Sequence, residues 1–256
     1  IKMIQVLNRA FDILDYLSSE PEEAKGLGQI ASDLGLHPAT CANILKTMLR
    51  RGFVDQDAPK GGYRLGPSAY RLARNGPYRK DLVAAAEAPM ISLAKELQET
   101  VLIAVLRQYE RVILFQVEGN QNLQVRSDIV SRTEVYRTVT GRLLLAYLPD
   151  ERLESFIIAR GLPGRGVWVG VKTKAQLIAA LRKIRKDGKV IDTSQPDIAA
   201  AAYPIWQNDT VVAALGLFLP KFRFKGEHRR KVLAGLEATA NEITRRLTES
   251  AERKDS

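Results

Sequence analysis

The chain has 256 residues, of which 45% are hydrophobic and 27% charged, and its net charge is +10. That length suffices for one large or two ordinary globular domains, and no apolar run approaches the length of a membrane-spanning helix. A single cysteine, Cys41, excludes an internal disulfide, and two distant histidines, His37 and His228, with no acidic or cysteine cluster at ligand spacing leave neither a zinc motif nor the usual general base.

Residues 5–17 predict an amphipathic helix with Leu7, Ala10, Phe11, Leu14 and Leu17 on one side. A chain opening on such a helix rather than on a basic, apolar leader is expected in the cytoplasm. A polar break over residues 18–23 follows. Residues 27–51 then read as two short helices around a glycine turn. Ile30, Ala31 and Leu34 give the first an apolar stripe, Gly35 makes the turn and Leu36 tucks under it. Pro38 suits a first-turn position, and Cys41, Ile44, Leu45 and Met48 carry the apolar face into the second helix.

This helix-turn-helix leaves Gln29, His37, Ala39, Thr40, Asn43, Lys46 and Thr47 outside, side chains of a kind that meets base edges and phosphates in a major groove. No acidic residue occurs between His37 and Val54, whereas Lys46, Arg50 and Arg51 are present. Residues 1–80 hold 12 Lys and Arg against 8 Asp and Glu, with most of the acids between Asp12 and Asp33, so the charge is segregated as well as positive. Residues 52–56 and 62–66 predict two short strands around a turn containing Asp57, Pro59, Lys60, Gly61 and Gly62. Such a wing places Lys60 and Arg64 for phosphate contact beside the groove.

A short helix over 68–74 ends at Asn75-Gly-Pro-Tyr, where we place the domain boundary: a DNA-binding domain over 1–75, and an effector-binding and oligomerisation domain over 76–256. The second domain predicts a long helix over 81–98, leading in from the linker. Strands follow at 101–107, 111–118, 123–126, 189–192, 199–207 and 211–219, with helices at 140–148, 150–158, 173–188 and 225–251. Helix, strands, helices, strands and helix describe an α+β arrangement of antiparallel sheet and helices.

Catalytic constellations are weak. Residues 161–166 are glycine-rich but lack the Lys-Ser/Thr ending of a phosphate loop, and read as a flexible loop. Val139-Thr-Gly-Arg142 enters a helix and reads equally as a capped start or as an anion site. The polar run Asp192, Thr193, Ser194 and Asp197 at a strand entrance is a solvated turn or part of a ligand cavity. No serine elbow or nucleophile-His-carboxylate set occurs, and no cofactor is expected.

In order along the chain, the opening helix Val6 to Leu14, the turn Ile30-Ala31 to Leu36, Gly52-Phe-Val54, Tyr63-Arg-Leu-Gly66, Glu99 to Val105, Thr138 to Ala146, Leu181 to Gly188 and Ala202-Tyr-Pro-Ile205 with Val212 to Leu215 resemble the IclR family of bacterial transcriptional regulators. The resemblance implies a winged helix-turn-helix joined by a linker helix to a GAF-like α+β effector-binding domain, in a homodimer or homotetramer on a palindromic operator. It places effector contacts at Val139, Thr140 and Gly141, near Asp192 and Ser194, and around Ala200, Gly216 and Phe218. The chain departs from the family pattern at Arg142, where lysine is common, and at Ala200, Gly216 and Phe218, where cysteine or serine often stands. With those polar handles gone, the expected effector is larger or more apolar than a two- or three-carbon oxoacid, or the pocket no longer responds. Tyr109, Tyr136, Trp168 and Tyr203 are candidates to stack on such a ligand. The competing reading is a metabolite-binding protein or enzyme whose winged helix contacts protein.

Overall fold

In a computed structural model, the structure describes residues 4–19, 23–56, 58, 61–75, 80–120 and 134–252. The chain forms two compact units, Ile1–Tyr78 and Arg79–Ser256.

The first unit opens with α1 (Gln5–Ser19), followed by α2 (Leu27–Asp33) and α3 (Pro38–Arg50). Gly35 turns the chain between α2 and α3 at φ +60°, a conformation that costs an L side chain and suits glycine. His37 caps α3: its ring Nδ1 accepts a hydrogen bond from the Ala39 amide at 3.3 Å, and Pro38 occupies the first turn, where no amide donor is needed. The strands β1 (Val54–Gln56) and β2 (Tyr63–Leu65) pair antiparallel as the wing, with Asp55 opposite Arg64, and α4 (Pro67–Asn75) follows. One core holds the unit, built on Ile13, Leu17, Ile30, Ala31, Cys41, Ile44, Leu45, Met48 and Val54. The face of α1 is shifted from the expected one: Leu17 is buried and Ala10 and Leu14 pack against the core as expected, but Ile13 joins them, whereas Leu7 and Phe11 are exposed. Apolar residues on α1 occupy more than one helical stripe, and the stripe through positions 10, 13, 14 and 17 meets the core shared with α3 and β2.

The second unit carries α5 (Lys80–Leu97), β3 (Val101–Arg107), β4 (Glu110–Val117), α6 (Val139–Ala146), α7 (Asp150–Arg160), α8 (Lys174–Asp187), β5 (Val190–Asp192), β6 (Ile198–Gln207), β7 (Thr210–Pro220) and α9 (Gly226–Glu252). The five strands form an antiparallel sheet in the order β4-β3-β7-β6-β5. Two-residue turns close both long hairpins, Gln108-Tyr109 at φ 47° and 68° and Asn208-Asp209 at φ 48° and 57°. Positive φ at both turn residues matches the twist of the strands they join. The expected strand at 123–126 lies outside the described residues.

Side-chain alternation divides the core into two layers. Val101, Ile103 and Val105 of β3, with Ala201, Tyr203 and Ile205 of β6, face α5 and α9. Leu102 and Ala104 of β3, with Ala202 of β6 and Ala214 of β7, face α6, α7 and α8. The sheet is thus sandwiched between helices, an α+β fold as the sequence predicts. Pro204 sits within β6 without breaking it, opposite Ala214 of β7 and past the stretch Ala200 to Ala202 that pairs with β5, so at this position β6 has a strand on one side only. No described helix is long and apolar enough to cross a membrane.

Candidate nucleic-acid interface and ligand cavity

The polar face of α3 follows from its apolar one. With Cys41, Ile44, Leu45 and Met48 buried, the 3.6-residue repeat turns Ala39, Asn43, Lys46, Thr47 and Arg50 outward, and all five are exposed; Thr40 is half-buried. Gln29 on α2, His37 at the α3 cap and Arg51 just beyond α3 are exposed as well. Thr47 Oγ1 donates to the Asn43 carbonyl at 3.0 Å, which uses its proton and leaves the oxygen with acceptor capacity. Arg64 is half-buried on β2. Lys60 lies outside the described residues. Cys41 is fully buried, and burial raises its thiol pKa, so it serves as a small apolar group of the core.

In the second unit, a cavity of about 130 Å³ opens beside the start of α6. Val139, Thr140, Asp192, Ala200, Gly216 and Phe218 line it, and so do Leu102, Arg111, Arg137, Thr138, Gln195, Ile198 and Leu217, none of which the sequence reading singled out. Gly141 and Ser194 are not on its walls. A Cβ on Gly141 would overlap the Val135 carbonyl oxygen, so this glycine is there for close packing of backbone. The Ser194 amide donates to Asp192 Oδ1 at 2.8 Å and orients that carboxylate. Gly216 has a similar packing role on the cavity wall, because a Cβ there would overlap Thr140 Cγ2.

Thr138 caps α6, its Oγ1 accepting from the Gly141 amide at 3.0 Å. Arg142 is committed to structure. Its Nη1 meets Asp192 Oδ2 at 2.7 Å, its Nε donates to the Tyr136 carbonyl at 2.7 Å, its Nη2 donates to the Val167 carbonyl at 3.1 Å, and its guanidinium lies 4.7 Å from the Trp168 ring centre. Burial lowers the Arg142 pKa more than Asp192 raises it. Burial also pushes the Asp192 pKa up, but the Ser194 hydrogen bonds and Arg142 outweigh it and hold the carboxylate below its ordinary range. The glycine-rich segment is correspondingly tied down: Gly161 accepts from the Tyr136 hydroxyl at 2.8 Å, and Val167 accepts from Arg142.

Arg111 is the least expected wall residue. It reaches from β4 to donate through Nε to Thr140 Oγ1 at 2.7 Å, is 3% exposed, and has its Nη1 buried without a hydrogen-bond partner among the described residues. Burial lowers its pKa to about 10. A charged residue next to a hairpin turn reads in sequence as solvent-facing, and its partner lies 29 positions away, so no local signal announced it.

The aromatic candidates are placed differently from the expected stacking role. Tyr109 and Tyr136 pack edge-on against Phe156, Tyr136 also meets Trp168, and Tyr203 belongs to the layer facing α5 and α9. None of the four lines the cavity; Phe218 is the aromatic on its wall. Among the described residues no group of three or more His, Cys, Asp or Glu side chains is arranged to hold a metal.

Comparison with known proteins agrees over both units. The family model for the IclR helix-turn-helix domain matches residues 6–58, and that for the bacterial transcriptional regulator IclR C-terminal matches residues 78–245. The chain is 31% identical over 239 residues to the HTH-type transcriptional regulator Rv1719 of Mycobacterium tuberculosis, covering 91% of this chain and 88% of that protein. Among solved structures it resembles an IclR transcriptional regulator from Alicyclobacillus acidocaldarius, at TM-score 0.70 and 21% identity over 96% of this chain and 100% of that one. It also resembles an IclR homologue from Microbacterium hydrocarbonoxydans complexed with 4-hydroxybenzoate, at TM-score 0.67 and 22% identity over 94% of this chain and 98% of the other. The relatives are named as regulators of transcription, which sets aside the reading as an enzyme. With a helix-turn-helix unit and an α+β unit that each match their own family model, the chain belongs to the IclR family of bacterial transcriptional regulators.

Proposed function

We propose that the protein binds a specific operator through its first domain, residues 1–75, and that a small organic effector held in its second domain, residues 76–256, controls that binding in the cytoplasm. The observation that carries this reading is the outer face of α3: amide, hydroxyl and basic side chains on a helix without a single acid, set on a firmly packed apolar face. Such a helix fits a major groove both electrostatically and in width. In this reading Thr40, Asn43, Lys46 and Thr47 meet base edges, Gln29, His37 and Ala39 lie along the groove, and Arg50, Arg51, Lys60 and Arg64 meet phosphates. Assembly as a homodimer or homotetramer gives a two-fold protein for a palindromic site.

The effector occupies the cavity at Val139, Thr140, Asp192, Ala200, Gly216 and Phe218, over Gly141 and Ser194, which shape its floor from behind. The related Microbacterium protein holds 4-hydroxybenzoate, a small ring of comparable scale. A cavity of about 130 Å³ with Leu102, Ile198, Ala200 and Phe218 on its walls supports an effector larger or more apolar than a two- or three-carbon oxoacid.

Binding of the full protein to DNA from its own upstream region, followed across a salt series, tests the reading. Lys46→Ala or Arg51→Ala is expected to weaken binding to all sequences and flatten the salt slope by about one unit, whereas Asn43→Ala changes base preference at one position. Unchanged affinity in all three variants would contradict the assigned face.

A further inference from the structure

The cavity beside α6 holds a charge, that of Arg111, for which the described residues supply no counter-charge. Arg111 is almost fully buried, its only hydrogen bond among the described residues is to the neutral Thr140 hydroxyl, and Nη1 makes none. The other charged groups at the cavity are engaged. Asp192 is held by Arg142 and the Ser194 amide, and Arg137 on the rim is exposed and pairs with Glu134. Arg111 also sits at the positive end of α6, where the helix itself offers no acceptor to the Val139 and Thr140 amides. A guanidinium without a counter-charge among the described residues and a helix N-terminus therefore share one small space, each costly to desolvate and each satisfied by an anion.

The rest of the wall limits what that anion is attached to. Polar groups of Arg137, Thr138, Thr140, Asp192 and Gln195 share the wall with the apolar Leu102, Ile198, Ala200, Leu217 and Phe218, and the volume of about 130 Å³ is close to that of the roughly 150 Å³ cavities that accept a benzene-sized body. A two-carbon oxoacid would leave much of that space, and the apolar wall at Leu102, Ile198, Ala200 and Phe218, unfilled.

We propose that Arg111 is the anion receptor of this cavity and makes it selective for a monocarboxylate whose apolar body is about the size of one ring. The inference rests on the cavity being the effector site, and names both the ligand class and the residue that selects it. A neutral isostere fills the same volume but leaves the guanidinium unanswered, so it binds less well. The arginine explains how the cavity dispenses with polar side chains at Ala200, Gly216 and Phe218: recognition shifts from the sheet floor to β4.

Calorimetric titration of the full chain with benzoate, its neutral isostere benzamide, and glyoxylate tests this. Benzoate is expected to bind at least about 10-fold more tightly than either of the others, the ratio set by one charge-assisted hydrogen bond. Arg111→Met removes the preference over benzamide, and because it deletes an uncompensated buried charge, it raises the melting temperature of the ligand-free protein. Arg111→Lys, which keeps the charge but not the fork, retains part of the preference. The proposal is overturned by equal affinity for benzoate and benzamide, by an Arg111→Met protein that keeps the preference or melts lower than the parent, or by no benzoate binding at millimolar concentrations. Operator binding by the parent protein is measured separately. Benzoate binding without sequence-specific DNA binding would remove the regulatory reading and leave the receptor, and the converse result would do the opposite.

Discussion

At the scale of single residues, the cavity is shaped as much by what is missing from side chains as by what is present. Gly216 on β7 lets Thr140 sit against the sheet, and Thr140 in turn meets Arg111. Gly216→Ala must therefore displace Thr140 or the strand, at a cost of about 1–3 kcal/mol in urea unfolding. Weaker benzoate binding is expected along with it, since the Arg111 contact moves; a variant of unchanged stability would show that the contact yields freely. The pair Asp192 and Arg142 adds a dependence on pH. The Asp192 pKa is lower folded than unfolded, so its stabilisation is complete above the unfolded value of about 3.9 and fades as pH falls through the lower folded value. Asp192→Asn is expected to lose stability near neutrality and to converge on the parent in acid, a closing gap that melting curves across pH can read. Much of this site was legible in the sequence, because a helix entry such as Val139-Thr-Gly and a polar turn such as Asp192 to Ser194 declare themselves locally. Arg111 was not, since its burial depends on a helix that the chain reaches only 29 residues later.

At the scale of elements, local periodicity was informative where only one face of a helix has a partner, and ambiguous where apolar residues exceed the face. On α3 the polar and apolar stripes are distinct, and both are where the spacing puts them. On α1 the sequence offers Leu7, Phe11, Ile13, Leu14 and Leu17, and only tertiary contact decides that Ile13 and Leu17 go inside. The strands stand close to where the apolar runs at 101–107, 111–118, 199–207 and 211–219 put them, whereas the two-residue turns at Gln108-Tyr109 and Asn208-Asp209 and the register between strands are set by the paired sheet. The buried thiol of Cys41 gives a direct probe of the α2 and α3 packing. Its labelling by a thiol reagent is expected to require local opening, so the native rate falls far below that of the unfolded chain. Ile13→Ala removes a fully buried side chain from the same core at about 2–5 kcal/mol, and must accelerate labelling accordingly. Labelling at the unfolded rate in the parent protein would mean that Cys41 is not enclosed as described.

At the scale of the whole molecule, the two units have separate cores. Among the described residues, the core of the first draws on residues between Ile13 and Val54, and those of the second begin at Leu82, so each unit has a core of its own. Each can therefore respond to its own ligand by a local change, and regulation requires that the two responses be energetically coupled. Such a coupling is reciprocal: if benzoate changes operator affinity by some factor, operator DNA must change benzoate affinity by the same factor. Regulators of this kind typically show coupling of about 1–3 kcal/mol, or about 5- to 150-fold. We expect titration of benzoate into the protein, free and operator-bound, to return the factor that operator titrations give with and without benzoate. Equal benzoate affinities in the two states would mean that benzoate fills the cavity without distinguishing the DNA-bound form from the free one. A ligand that makes no such distinction shifts nothing, however tightly Arg111 holds it.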